Sequence, residues 1–148
     1  MVDLGSGAGL DVFISANKVG PNGRAIGVDQ NKDMLAKASQ NAQKTETKNI
    51  EFVESPITEI ALPDAIANCV ISNCVINLVP ETEKHLVFNE IFRILKPGGR
   101  VAISDILARR PLSDALRRDV AQYVGCVAGA SLVEQYQAYL QSSGFDGQ

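Results

Sequence analysis

Two carboxylates bracket a glycine-rich run at the start of this chain: Asp3-Leu4-Gly5-Ser6-Gly7-Ala8-Gly9, then Gly27-Val28-Asp29. Glycine at positions 5, 7 and 9 removes Cβ atoms where backbone N–H groups would approach a bulky ligand beside a helix N-terminus. Asp29, 20 residues beyond Gly9, is placed to accept both hydroxyls of a ribose. The dinucleotide fingerprint G-x-G-x-x-G would need glycine at position 10, where this chain has Leu10. Asp3, ahead of the turn, would repel a pyrophosphate and attract an ammonium. A ligand carrying an ammonium and a ribose fits better, and S-adenosylmethionine, with its sulfonium methyl, is such a ligand. The plainer alternative is a tight β–α turn with a surface Asp.

The second group of chemistry-bearing residues is the cysteines, at positions 69, 74 and 126. An odd count without regular spacing points to free thiols in a reducing compartment, so a cytoplasmic location is expected. Cys74 lies in Ser72-Asn73-Cys74-Val75-Ile76-Asn77-Leu78, at the carboxyl end of an apolar strand. Ligands of open α/β sheets bind at that end, where the strand order reverses. Position alone leaves Cys74 open as a crevice thiol or as a small buried hydrophobe, and Cys126 open as a thiol or as a small residue in a Gly/Ala-rich connection. Cys69 starts the same strand. Five residues at about 3.3 Å each put it roughly 16 Å from Cys74, so it reads as core or sheet-end filler. The lone histidine, His85, sits among charged neighbours and reads as a solvated surface residue.

Strands and helices alternate throughout, which predicts a doubly wound α/β fold around a central parallel sheet. Strands are expected at Val2–Leu4, Ala25–Asp29, Ile50–Glu54, Cys69–Ser72 and Arg100–Ser104, in the order 3-2-1-4-5. The switch point then lies between the strands ending at Leu4 and Ser72. Helices are expected from Leu10 to Lys18, from an Asn31 cap with Met34, Leu35, Ala38 and Ala42 in one stripe, and after Pro80 with Val87, Ile91, Ile94 and Leu95 inward. Lys96-Pro97-Gly98-Gly99 stops that third helix. Two more helices are expected, from Ser113 to about Val124 and from Ser131 to Ser143, the last opening on a Ser131/Glu134 capping box.

A chain of 148 residues, 45% hydrophobic and 21% charged, is one ordinary globular domain, residues 1–148. A net charge of -3 argues against nucleic acid as partner, and no apolar run approaches the length of a membrane span. The first strand is only three residues long where about five or six are usual, which predicts unpaired backbone and marginal stability. The chain reads as the interior of a larger enzyme, incomplete at its N- and C-termini.

Three runs carry a resemblance: Ile71-Ser72-Asn73-Cys74-Val75-Ile76-Asn77-Leu78, Leu95-Lys96-Pro97-Gly98-Gly99-Arg100-Val101-Ala102-Ile103-Ser104-Asp105, and Gly125-Cys126-Val127-Ala128-Gly129-Ala130. Together they resemble the arsenite methyltransferases, over essentially the whole chain, without that family's cysteine-bearing N-terminal segment and its C-terminal strands. The resemblance implies a Rossmann-like class I methyltransferase fold and S-adenosylmethionine as cofactor. It makes Cys74 and Cys126 the thiolates that hold trivalent arsenic, a soft ion suited to sulfur ligands. Around the cofactor turn (Asp3, Gly5, Ser6, Gly7, Gly9, Asp29) it adds Gln30, Met34, Ile57, Thr58 and Asn73. With the additional cysteines absent, a small thiol such as glutathione, or thioredoxin, is expected as partner. A thiol with pKa ~8.5 must ionise to bind, which predicts better function at mildly alkaline pH. A methyltransferase for a quinone or sterol, and a non-catalytic cofactor-binding remnant, are the competing readings.

Overall fold

A computed structural model of the chain describes residues 1–45, 47–113, 116 and 126–146. Among these, five parallel strands form one sheet: β1 (Val2–Leu4), β2 (Ala25–Asp29), β3 (Ile50–Glu54), β4 (Ala67–Asn73) and β5 (Leu95–Ser104), in the order β3-β2-β1-β4-β5. Order and direction agree with the doubly wound expectation. The switch point falls between β1 and β4, where Leu4 pairs with Ser72. The helices are α1 (Leu10–Val19), α2 (Lys32–Gln43), α3 (Lys84–Ile94) and α4 (Val133–Ser142). The helix expected from Ser113 to about Val124 lies outside the described residues, save for Ser113 and Leu116.

Side chains alternate across a strand, so β2 serves two cores at once. Ile26 and Val28 join Val2, Leu4 and Val70 beneath α3, whose Val87, Phe88, Ile91 and Ile94 are all buried. Ala25 packs with Val12 and Ala16 of α1 on the other face, beside Phe52. Both faces are covered, as a parallel sheet requires. Phe88 lies edge-to-face with Tyr136 at 4.9 Å and stacks on Tyr139 at 5.6 Å, which docks α4 onto α3.

Several local expectations need correction. β1 is three residues long, yet all three pair on both sides. The pairing continues through Met1, whose carbonyl accepts from Ile26 N at 2.9 Å, so the expected unpaired central backbone is not found. Lys96-Pro97-Gly98-Gly99 lies within β5, as an outward kink: Leu95 pairs with Ala67, and the next pair is Arg100 with Cys69. Four residues thus face one, Asn68, and Gly98 takes φ +76 to make the excursion. Asn31 caps α2 as expected, its side chain accepting from the N–H groups of Asp33 and Met34. Met34 leaves the expected buried stripe: it is 43% exposed, while Leu35 and Ala38 are the buried residues of α2. The Ser131 capping box does not form. The helix starts one residue later, with Gln135 Oε1 accepting from Leu132 N at 3.1 Å, and Ser131 is engaged elsewhere.

Candidate functional site

The carboxyl ends of β1, β2 and β4 open into a cavity of about 450 Å³, a volume suited to a small ligand. Its lining includes Gly5, Gly7, Asp29, Gln30, Met34, Ile57, Thr58, Asn73 and Cys74, nine of the residues singled out in the sequence. Asp3, Ser6, Gly9 and Cys126 stand outside that lining.

The glycine turn is shaped by contacts that forbid larger residues. Gly5 has φ +67, and a Cβ there would lie 2.4 Å from Cγ2 of Val75, so this turn packs directly against the residue after Cys74. Gly7 has φ +52 and nothing within 4 Å of a built Cβ, leaving open space beside the cavity. Gly9 does a different job: its Cβ would meet Phe52 at 2.9 Å, so it lets α1 approach the sheet. Ser6 Oγ is buried without a hydrogen-bond partner among the described residues, turned toward Gly27.

Asp29 is oriented by the backbone on both oxygens. Oδ2 accepts from Gly7 N and Oδ1 from Asn31 N, each at 2.8 Å. Each oxygen retains a further lone pair for a ligand hydroxyl. Asp3 is a different kind of carboxylate. It is 3% exposed, and no hydrogen bond or ion pair reaches its side chain among the described residues. Burial, reinforced by Asp11 and Asp29, pushes its carboxyl up to about 7. A buried carboxylate with only acidic neighbours calls for a cationic partner. An ammonium-bearing ligand in the adjoining cavity supplies one, and Asp29 and the open space at Gly7 suit the ribose, so the residues present fit S-adenosylmethionine. Met34 and Ile57 offer the apolar surface a purine ring requires.

The two cysteines of interest meet at the rim of this cavity. The Cys126 thiol donates to the Cys74 carbonyl oxygen at 2.9 Å. Cys74 is exposed and Cys126 buried, and both thiols are free. Burial pushes the Cys126 thiol above its ordinary value, and the neighbouring Cys74 and Asp105 add to the effect. Asp105, at the end of β5, is raised to about 6 by burial, against the opposing pull of the Ile76 N–H and the Lys84 charge. Cys69, expected to open β4, lies two residues inside it, half-buried, paired with Arg100 and remote from the carboxyl ends. His85 is exposed on α3.

Sequence reasoning missed Asn77 and Lys84, both fully buried. Asn77 Nδ2 donates to the carbonyls of Ile106 at 2.7 Å and Cys126 at 3.2 Å. Lys84 Nζ donates to Glu81 Oε2 at 2.9 Å, to Ser131 Oγ at 2.7 Å and to the Gly129 carbonyl. Asn77 sits inside the Ser-Asn-Cys-Val-Ile-Asn-Leu run, which was the available signal. Nothing in the local pattern around Lys84 marks it as buried.

A family model described as a methyltransferase domain matches residues 1–144. The chain is 46% identical over 146 residues to an arsenite methyltransferase of Halobacterium salinarum, covering 99% of this chain and 37% of that protein. It is 32% identical over 151 residues to a demethylmenaquinone methyltransferase of Lactococcus lactis, covering 99% of this chain and 58% of that one. Among solved structures, an arsenic(III) S-adenosylmethionine methyltransferase from Chlamydomonas reinhardtii superposes with a TM-score of 0.87 at 32% identity, over 99% of this chain and 51% of that chain. The chain therefore spans less than two thirds of each of these proteins.

Proposed function

The chain belongs to the methyltransferase domain family, and from that premise we propose that it binds S-adenosylmethionine at the switch point and methylates trivalent arsenic held by Cys74 and Cys126. The observation that carries the reading is the thiol of Cys126 lying 2.9 Å from the backbone of Cys74, itself a lining residue of the cavity. The similarity to arsenite and arsenic(III) methyltransferases supports the choice of acceptor.

When bound, the cofactor supplies a methyl group on a cationic sulfur, which a soft lone-pair donor takes up without first losing a proton. The chain's own task is therefore holding and aligning. Asp3 would pair with the cofactor's ammonium and Asp29 with its ribose, while Gln30, Met34, Ile57, Thr58 and Asn73 would border the rest of it. Cys74, being exposed, would meet arsenite first, and Cys126 would follow. Each sulfur–arsenic bond forms as the thiol proton leaves with an arsenic-bound hydroxide as water, so the two captures balance without an added base. Alignment of this kind can supply roughly 7–11 kcal/mol of a barrier. A small thiol such as glutathione would provide a third ligand to arsenic. Glutathione or thioredoxin, as reductant, would supply the two electrons that return arsenic to the trivalent state after its lone pair has taken up the methyl group. The cytoplasm suits the three free thiols. No described helix is long and apolar enough to cross a membrane.

A quinone or sterol acceptor would require a general base or a wide apolar chamber, and a cysteine pair serves neither purpose. A cofactor-binding remnant without catalysis would leave the approach of the Cys126 thiol to the Cys74 backbone without a use.

The test incubates the purified chain with arsenite, methyl-labelled S-adenosylmethionine and glutathione, and separates the arsenic products. Methylated arsenicals are expected. Cys74→Ser and Cys126→Ser should each abolish them while cofactor binding persists. A Cys74→Ser protein that methylates arsenite at the unmodified rate overturns the assignment.

A further inference from the structure

Cys126 is carried by the segment 126–131, and three independent contacts pin that segment to the stretch following Cys74. Asn77, in the 3-10 turn Ile76–Leu78, donates to the Cys126 carbonyl at 3.2 Å while the same nitrogen holds Ile106 O at 2.7 Å. Lys84, at the start of α3, grips the other end of the segment through Ser131 Oγ and the Gly129 carbonyl. Gly129 completes the junction: a Cβ there would lie 1.9 Å from the Asn77 carbonyl oxygen, so the two backbones touch.

The chemistry of this clamp is costly. Lys84 is 0% exposed, and a buried ammonium loses its hydration. Its charge is met by Glu81 Oε2 at 2.9 Å. Glu81 in turn accepts from Ser131 Oγ at 3.0 Å and Tyr139 OH at 2.7 Å, and these contacts hold its carboxyl below its ordinary value despite burial. An apolar residue at this position of α3 would pack against the core without a desolvation cost. A buried polar network is best explained where one particular arrangement matters more than stability.

We propose that Asn77 and Lys84 are positioning residues of the arsenic site: they hold the Cys126 backbone against the Cys74 turn so that both sulfurs reach one arsenic atom. The inference rests on the arsenic reading above. Neither side chain touches substrate. Both act by removing the freedom of the 126–131 segment, so that the second sulfur–arsenic bond forms from an already ordered thiol.

The experiment compares the full chain with Asn77→Ala and Ser131→Ala in three readouts. These are affinity for phenylarsine oxide (a trivalent arsenical that takes two thiols), the rate at which iodoacetamide alkylates Cys74, and affinity for S-adenosylhomocysteine. Asn77→Ala should weaken phenylarsine oxide binding at least about tenfold, through loss of the pre-ordered second thiol. Ser131→Ala should weaken it severalfold, and the other two readouts should hold in both variants. Ser131→Ala removes one hydroxyl and no buried charge, so it carries the comparison where Asn77→Ala fails to fold. Phenylarsine oxide binding as tight as in the unmodified chain overturns the inference. So does a parallel loss in all three readouts, which would mark the clamp as general scaffolding. An unmodified chain that does not capture phenylarsine oxide through both thiols overturns the arsenic reading itself, and this inference with it.

Discussion

Cys126 and Cys74, 52 residues apart in the chain, are joined by a thiol-to-carbonyl hydrogen bond of 2.9 Å. Both hold left-handed backbone conformations, φ +61 at Cys126 and φ +55 at Cys74. For a residue with a side chain, that conformation costs about 1–2 kcal/mol. Such strain persists only where the surroundings over-determine it. Asn77, Gly129 and the Ser104 carbonyl, which accepts from Cys74 N at 2.8 Å, are those surroundings.

The two thiols should react in a fixed order. Cys74 is exposed, whereas Cys126 is buried, hydrogen-bonded and raised above its ordinary value by burial, Cys74 and Asp105. Iodoacetamide at neutral pH should therefore label Cys74 at least about tenfold faster than Cys126, as read by peptide mass spectrometry. Capture of phenylarsine oxide proceeds through the Cys126 thiolate, so the rate of capture should climb as pH rises through the mildly alkaline range. The folded chain also holds the Cys126 proton more tightly than the unfolded one, so stability should fall as pH climbs past about 9.0, the thiol's ordinary value. Faster labelling of Cys126 than of Cys74 would contradict the asymmetry.

Asp3 should link pH to both stability and cofactor affinity. Its carboxyl titrates near 7 in the folded chain against an ordinary 3.8. Between those values the folded state binds more protons than the unfolded state, so this contribution to stability is full below 3.8 and lost as pH rises to about 7. Asp3→Asn should accordingly raise the Tm at neutral pH. The same change should weaken S-adenosylhomocysteine at least about tenfold, through loss of one charge-assisted contact. In the unmodified chain, affinity should decline as pH drops below about 7, where the carboxyl becomes neutral. Calorimetric titration across that range, with a thermal melt of each protein, checks both signs.

Gly5 and Gly7 look alike in the sequence and should fail differently. Alanine at Gly5 must displace Val75, since its Cβ would lie 2.4 Å from Val75 Cγ2 at φ +67. Gly5→Ala should cost about 2–4 kcal/mol of stability from strain and overpacking together, and should disturb Cys74 next door. Gly7→Ala meets nothing within 4 Å. It should cost only about 1–2 kcal/mol for its left-handed backbone, yet weaken cofactor binding by placing a methyl beside the cavity. Urea denaturation and S-adenosylhomocysteine titration of the two variants separate the effects. Equal stability losses would refute the distinction.

Much of the scaffold was legible because short-range rules govern it. Asn31 caps α2 through its own side chain and two N–H groups within the next three residues. The glycine turn and Asp29 announce a ligand site because a parallel strand must end at the same edge as its neighbours. Ser131 shows where such rules stop. Its spacing to Glu134 suits a capping box, but a buried ammonium 47 residues away is the stronger partner for its hydroxyl. Met34 is similar: helical periodicity places it with Leu35, while the cavity beside β2 and the 54–58 segment leaves its side chain facing open space.

Residue order and local chemistry point to a Gly-rich turn, two carboxylates and one cysteine, Cys74, at the carboxyl edge of a parallel sheet. The folded chain alone decides that the Cys126 thiol meets the Cys74 carbonyl, that Asp3 lies buried without a counter-charge among the described residues, and that Asn77 and Lys84 bind the 126–131 segment. The physical reason is distance along the chain. Backbone periodicity and capping act over a few residues, whereas the contacts Asn77 to Cys126 and Lys84 to Ser131 span 49 and 47, and hydrogen-bond demand in a closed core chooses such partners only once the sheet has formed.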